Sequence, residues 1–271
     1  ASDTGTPAKT SSQTAQVNIF DITSQLRAWY KLNGPTDGTI INGSVLDSSP
    51  NANNATADGN ACVFTEAGIS NLANTGYRFN SGAGGADCGT TKHGSVTAPS
   101  LGLQNNYTFA VWIKPQGTLG NHWIMGEVQT NGQFPWQRMF IGQDNDGATV
   151  VGTSSKVSFM LPTNSTAIVV TDPTVITADT WYHYAVTVSY AANTNTTTIK
   201  LYRNGVQVAT GSKVANGINF ATLNFLIGNA QQGAATGTGT RIFKGVMDEV
   251  RVYSRTLTAT DIIAVRDAPS N

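Results

Sequence analysis

The sequence predicts an all-β protein built as a two-sheet antiparallel sandwich or jelly roll, with one short C-terminal helical turn. Three observations carry this. Short runs rich in β-branched and aromatic residues recur along the chain. Clusters containing Gly, Asn, Asp or Ser separate most of them. A single segment has a helical signature.

In chain order, residues 1–16, "ASDTGTPAKTSSQTAQ", lack periodicity and large apolar side chains, and read as an extended N-terminal arm. Such an arm needs an anchor, either its own domain or a neighbouring subunit. The sandwich domain is expected over residues 17–271. "VNIFDITSQL" opens it as a strand or a short helical turn. The strands expected next are "LRAWYKLNG", "GYRFNSG", "YTFAVWIKP", "WQRMFIGQ", "KVSFML", "WYHYAVTVSY", "TTTIKLYRNGVQVATGS", "LNFLIGN" and "GVMDEVRVYS". Asn204-Gly205 lies between alternating runs and suits the φ > 0 positions of a type I′ hairpin turn. "QDNDG" (Gln143–Gly147) reads as a second hairpin loop. In "TATDIIAVRDA", Thr258 can cap a helix, Asp261 stands at the capping-box position, and Ile262, Ile263 and Val265 form an apolar face.

Composition excludes some partners. The chain has 271 residues, of which 39% are hydrophobic and 12% charged, with a formal net charge of +0. The charged share is roughly half the ~25% typical of soluble domains, so neutral polar groups must cover the surface. A nucleic-acid footprint needs a basic patch, and no Lys/Arg run exists. No apolar run approaches the ~18 residues of a membrane span. Cys62 and Cys88 lack metal-ligand spacing and read as one disulfide closing a loop, the alternative being two separate buried thiols. A chain starting at Ala1 suits either export after signal removal or loss of an initiator Met in a virion protein made in a cytoplasm.

The ordered series "LRAWYKLNG", "VLDSSPNANNAT", "GYRFNSG", "YTFAVWIKP", "TWYHYAVTVSY", "IKLYRNGVQVA", "FLIGN" and "FKGVMDEVRVYSRTLTATDI" resembles the laminin-G-like, concanavalin-A-like lectin/glucanase domains. The match runs from about Leu26 to Arg266. It departs at Pro50, where the family has Gly, and at long Thr/Asn/Ala insertions over Asn164–Pro173 and Ala230–Thr240. The resemblance implies a jelly roll of two curved antiparallel sheets, a frequent structural Ca²⁺, and binding of glycans or proteins at cell surfaces. Such a fold hosts many functions, so function must be argued from the site.

Three groups of residues are candidates. The run Asp47–Asn54 is either a polar turn or an oxygen-rich Ca²⁺ loop. The resemblance sets Asp248 beside it, making Asp47, Asn54 and Asp248 the expected ligands. Trp29, Trp112 and Trp181 lie within strand patterns and are expected in the core. Trp123 and Trp136 sit beside Gly, Asn, Pro and Arg138. They either bury their rings or, with Arg138, form a sugar-stacking site.

An enzyme is the minor reading. Glycosidases need two carboxyl groups facing one cleft. Asp248 and Glu249 are neighbours, which on a regular strand point to opposite faces, and Glu127 stands alone. No histidine belongs to a recognisable catalytic motif.

Two functions are thus expected to compete. One is a non-enzymatic extracellular or particle-surface lectin-like binding or adhesion domain for a glycan or cell-surface ligand, with structural calcium. The other is a self-assembling subunit of an extracellular filament or virion surface, joined through residues 1–16.

Overall fold

A computed structural model describes residues 21–33, 43–57, 63–69, 75–79, 96–117, 119–120, 122–128, 137–145, 150–162, 167–215, 223–229 and 243–268. The arm 1–16, Cys62, Cys88 and Trp136 lie outside them.

The strands run β1 (Leu26–Tyr30), β2 (Gly43–Val45), β3 (Ala55–Ala57), β4 (Val63–Ala67), β5 (Thr75–Phe79), β6 (Val96–Ser100), β7 (Tyr107–Pro115) and β8 (His122–Val128). They continue with β9 (Gln137–Asn145), β10 (Val150–Pro162), β11 (Ala167–Thr171), β12 (Tyr182–Ala191), β13 (Thr196–Arg203), β14 (Val206–Val214), β15 (Asn224–Ile227) and β16 (Gly245–Tyr253), and helix α1 (Ala259–Asp267) follows. Among the described residues they form two 8-stranded sheets. The first sheet has the order β14-β13-β12-β7-β16-β5-β4, with β1 paired to β16, and the second has the order β11-β10-β9-β8-β15-β6-β3-β2. Every described pairing is antiparallel. The sandwich expected from the sequence is therefore the one observed.

Alternation along each strand decides what enters the core. On β7, Tyr107, Phe109, Val111 and Ile113 face inward, as do Tyr184, Val186 and Val188 on β12. Phe109 packs its ring against Phe225 and Phe159 of the second sheet, at centroid distances of 5.2 and 6.1 Å. Gly228 at the end of β15 has φ +82, and a Cβ there would stand 2.2 Å from the Phe79 ring. Only glycine combines that conformation with so close an approach.

The outer face of the first sheet carries α1. Ile262 and Val265 bury against Leu26, Ala110, Ala185, Tyr202, Tyr253 and Leu257. The small side chains of Ala110 and Ala185 let the helix lie close to the sheet. The capping box is present, Thr258 Oγ1 accepting from Asp261 N at 3.2 Å and Asp261 Oδ2 from Thr258 N at 2.9 Å. Ile263, expected on the apolar face, is instead 42% exposed. One residue on from Ile262 and two before Val265, it is rotated about the helix axis away from the sheet that those two share.

The hairpin at Asn204-Gly205 has φ values of +50° and +83° and joins Arg203 to its partner Val206, as expected of a type I′ turn. β9 and β10 pair antiparallel with Asn145 opposite Val150, so Gln143, Asp144 and Asn145, expected in a hairpin loop, are strand residues, and Asp146 and Gly147 lie outside the described residues. Strands β2, β3, β4, β6, β8 and β11 escaped the sequence reading. β2 and β3 are too short to show a period, with 3 residues each. β6 contains Pro99, and β8 carries a glycine and a bulge.

Candidate functional site

A cleft of about 540 Å³ opens at the end of the sandwich where β1 begins and β16 ends. Gln25, Leu26, Arg27, Asn51, Gly102, Gln104 and Ser254 line it. β1 presents Arg27 outward because Leu26 and Ala28 on either side are buried. Gln25 adopts φ +57, and its carbonyl accepts from Ser254 N at 3.0 Å, tying the start of β1 to the end of β16.

The wall opposite is the turn that follows β2. Asp47 organises it and spends its carboxylate on the protein. Its Oδ1 accepts from Trp29 N and Ser49 N, each at 2.8 Å. Its Oδ2 accepts from Ser49 Oγ at 2.7 Å and Asn53 N at 2.9 Å. Those four bonds use the four lone-pair sites of a carboxylate. Asn54 Oδ1 in turn accepts from Asp47 N at 2.9 Å. Asn51 Nδ2 donates to Leu26 O at 2.6 Å and Asn53 Nδ2 to Arg27 O at 2.8 Å, so the turn is laced to the backbone beneath the cleft.

This geometry bears on calcium. The four protein donors leave the Asp47 carboxylate no open site for an ion in this arrangement, whereas Asn54 Oδ1, which accepts from Asp47 N, keeps a second lone pair. Among the described residues no group of three or more His, Cys, Asp or Glu side chains could hold an ion. Asp248 differs. Its Oδ2 accepts from Ile69 N at 3.1 Å, while its Oδ1 is buried with no hydrogen-bond partner among the described residues. Burial pushes its carboxyl up to about 7, against the Ile69 bond and with the Glu249 charge adding to the rise.

The structure corrects the expectation that Asp248 and Glu249 face opposite sides of the sheet. Asp248 is opposite Trp112 and Arg251 opposite Ala110, so β16 gains one residue over β7 at this point, a β-bulge. Met247 and Val250 both enter the core, and the two acids between them both leave it. Glu249 adopts φ +56 to do so. The bulge marks a change of partner: Gly245–Met247 pair with β5, whereas Val250–Tyr253 pair with β1.

The acids serve that junction. Glu249 Oε2 accepts from Trp29 Nε1 at 2.9 Å and from Arg251 at 2.6 Å, with both members of the ion pair 2% exposed. Arg251 also donates to Val265 O at 2.6 Å and stands 4.5 Å from the Trp29 ring centroid, which docks the helix to the bulge.

The tryptophans differ in part from expectation. Trp29, Trp112 and Trp181, expected in the core, are half-buried on outward positions. Trp112 meets His183 edge-on at 5.3 Å, and Lys114 Nζ lies 5.5 Å from the Trp181 ring. The same alternation that fills the core with Phe109, Val111 and Ile113 turns Trp112 outward. Trp123, a candidate sugar platform, is 1% exposed, with its Nε1 donating to Leu226 O at 3.4 Å. Arg138 is 0% exposed and lies 5.6 Å from the Phe140 ring. Neither offers a solvent-facing plate or donor, because both stand on strands whose two faces are buried. Trp136 lies outside the described residues.

Other titratable groups are structural. Burial pushes His183 down to about 3, with Arg251 and Arg266 contributing, so its imidazole is neutral. Glu127 is fully buried. Its Oε2 accepts from Gln137 Nε2 at 2.6 Å, and Gln137 Oε1 takes the Tyr107 hydroxyl, a polar chain spanning the two sheets.

Of the cleft residues only Asn51, within the run Asp47–Asn54, was singled out from the sequence, and as part of a possible calcium loop. Arg27 had a usable signal, its outward place in "LRAWY". Gln104 and Ser254 had none, being ordinary loop residues brought together only by folding.

A family model described as the concanavalin A-like lectin/glucanases superfamily matches residues 88–263. No curated protein matches the chain in sequence. Domain 4 of AbnA, an extracellular GH43 arabinanase from Geobacillus stearothermophilus solved in complex with arabinotriose, aligns with TM-score 0.63 and 17% identity, covering 90% of this chain and 98% of that one. The binding domain of botulinum neurotoxin DC in complex with SialylT aligns with TM-score 0.58 and 13% identity, covering 91% of this chain and 52% of that one. The binding domain of Paraclostridial Mosquitocidal Protein 1 gives 0.57 and 13%, covering 91% and 53%. The chain thus spans about half the length of these two toxin binding domains. At such identities the likeness establishes the fold alone. No described helix is long and apolar enough to cross a membrane.

Proposed function

The chain belongs to the concanavalin A-like lectin/glucanase superfamily, and from that premise we propose that it is a non-enzymatic extracellular carbohydrate-binding domain whose ligand enters the cleft beside β1. The lining of that cleft carries the reading. Side-chain amides of Gln25, Asn51 and Gln104, the hydroxyl of Ser254 and the guanidinium of Arg27 line it, beside Leu26 and Gly102. Amides and hydroxyls both donate and accept, which matches the hydroxyl pattern of a sugar ring. The arabinotriose complex of the arabinanase domain and the SialylT complex of the neurotoxin domain are consistent with this use of the fold.

Binding is favoured over hydrolysis because no carboxylate lines the cleft among the described residues, whereas glycoside cleavage generally needs two. Asp248 and Glu249 share a side of the sheet but are buried at the strand junction. Calcium stays a proposal in altered form. An ion would be held at Asp248 Oδ1 and Glu249 Oε1, the buried carboxylate oxygens of the bulge that accept no protein hydrogen bond among the described residues. Assembly through residues 1–16 gains no observation here, since the arm lies outside the described residues.

The test is binding to a panel of soluble plant and animal glycans by titration calorimetry, with Gln25→Ala/Gln104→Ala as the cleft variant. Saturable binding lost in the variant supports the reading. Absence of binding to every glycan, or binding unchanged in the variant, removes it.

A further inference from the structure

Among the described residues one charged side chain, Arg27, lines the cleft, and its surroundings are arranged to leave that charge unspent. The guanidinium is exposed and makes no ion pair among the described residues. The backbone of the same residue is held firmly. Its carbonyl accepts from Asn53 Nδ2 at 2.8 Å, Asn51 Nδ2 at 3.2 Å and Ser49 Oγ at 3.3 Å.

The acids nearby in the chain and fold are occupied elsewhere. Asp47 is enclosed by its four donors. Asp21 Oδ1 accepts from Thr23 N and Thr23 Oγ1 at 2.8 and 2.6 Å. Asp261 accepts from Thr258 N and from Arg255 at 2.9 and 3.2 Å. Arg255, the other guanidinium at this end, is committed to that pair and to Ser24 O at 3.2 Å. Asn51 spends its Nδ2 on Leu26 O and Arg27 O, so its Oδ1 is the atom left to face a ligand.

From this arrangement we infer that the cleft selects saccharides bearing a carboxylate, such as a uronic or sialic acid unit, with Arg27 receiving the carboxylate and the amides of Gln25, Asn51 and Gln104 receiving hydroxyls. A planar guanidinium on a fixed backbone suits bidentate pairing with a carboxylate, which a neutral lining could not distinguish from a hydroxymethyl group. The inference rests on the proposed glycan-binding reading and adds the ligand class.

The experiment compares a neutral galactan, a polygalacturonate and a sulfated galactan at physiological salt, with wild type, Arg27→Gln and Arg27→Lys. The wild type is expected to bind the carboxylated polymer about tenfold more tightly than the neutral one, equivalent to about 1.4 kcal/mol. Arg27→Gln should erase that preference, bringing the carboxylated and neutral polymers to equal affinity, and Arg27→Lys should restore only part of it. Arg27 is exposed, so the variants are expected to fold as wild type does, which their melting checks. Equal binding of neutral and carboxylated polymers, untouched by Arg27→Gln, overturns this inference and leaves glycan binding standing. Preference for the sulfated polymer overturns the carboxylate assignment. Failure to bind any glycan overturns both.

Discussion

Glu249 Oε2 accepts the indole N–H of Trp29 at 2.9 Å, a contact between residues 220 positions apart. It closes the sheet where β16 leaves β5 and takes up β1, and the same oxygen receives Arg251 at 2.6 Å. Removing one partner of a buried ion pair strands the other. Glu249→Gln is therefore expected to cost about 3 kcal/mol. A double replacement, Glu249→Leu with Arg251→Met, should cost less than the sum of the two single changes. Urea unfolding of Glu249→Leu, Arg251→Met and the double variant measures this, and additive losses would show that the pair is not coupled.

Glu127 gives the stability a pH dependence. Burial holds its carboxyl well above the ordinary value of 4.5, the Gln137 bond opposing the shift. The folded chain thus keeps a proton that the unfolded chain has released. Stability from this group is complete below about pH 4.5 and declines as pH rises toward the folded value. Glu127→Gln keeps an acceptor for Gln137 and cannot ionise. The stability of wild type minus that of this variant should fall as pH rises above about 4.5. A flat difference would mean that Glu127 is ionised in the fold.

Calcium is tested by melting. If an ion is held at the bulge, calcium raises the midpoint relative to chelator and Asp248→Asn removes the difference. Asp47→Asn should lower the midpoint in both media but keep the calcium response, because Asp47 serves the turn. Identical melting of wild type in calcium and chelator rules the ion out.

The helix cap offers an isolated measurement. Thr258 Oγ1 satisfies Asp261 N at 3.2 Å. Thr258→Ala should destabilise by about 1 kcal/mol, with binding in the cleft unchanged. A loss near zero would mean that packing of Ile262 and Val265 alone holds α1.

Much of this was legible in the chain. Alternation in "YTFAVWIKP" and "WYHYAVTVSY", the Asn204-Gly205 turn and the Thr258 cap are local signals, each set by steric and hydrogen-bonding rules acting over a few residues. They determined the fold class, the helix and the hairpin. What they left open was which of two alternating faces becomes the core, and Trp29, Trp112 and Trp181 were assigned to the wrong one. A ring's size does not say which side of a sheet another sheet will cover.

The bulge was invisible for a related reason. An inserted residue is defined only against its partner strand, and β7 lies over a hundred positions away in sequence from β16. Tertiary pairing alone turned Asp248 and Glu249 to one side, and gathered Arg27, Asn51, Gln104 and Ser254 around one cleft. The sequence by itself determined a neutral, all-β sandwich. The tertiary structure decided where its charges are spent and where one is left over.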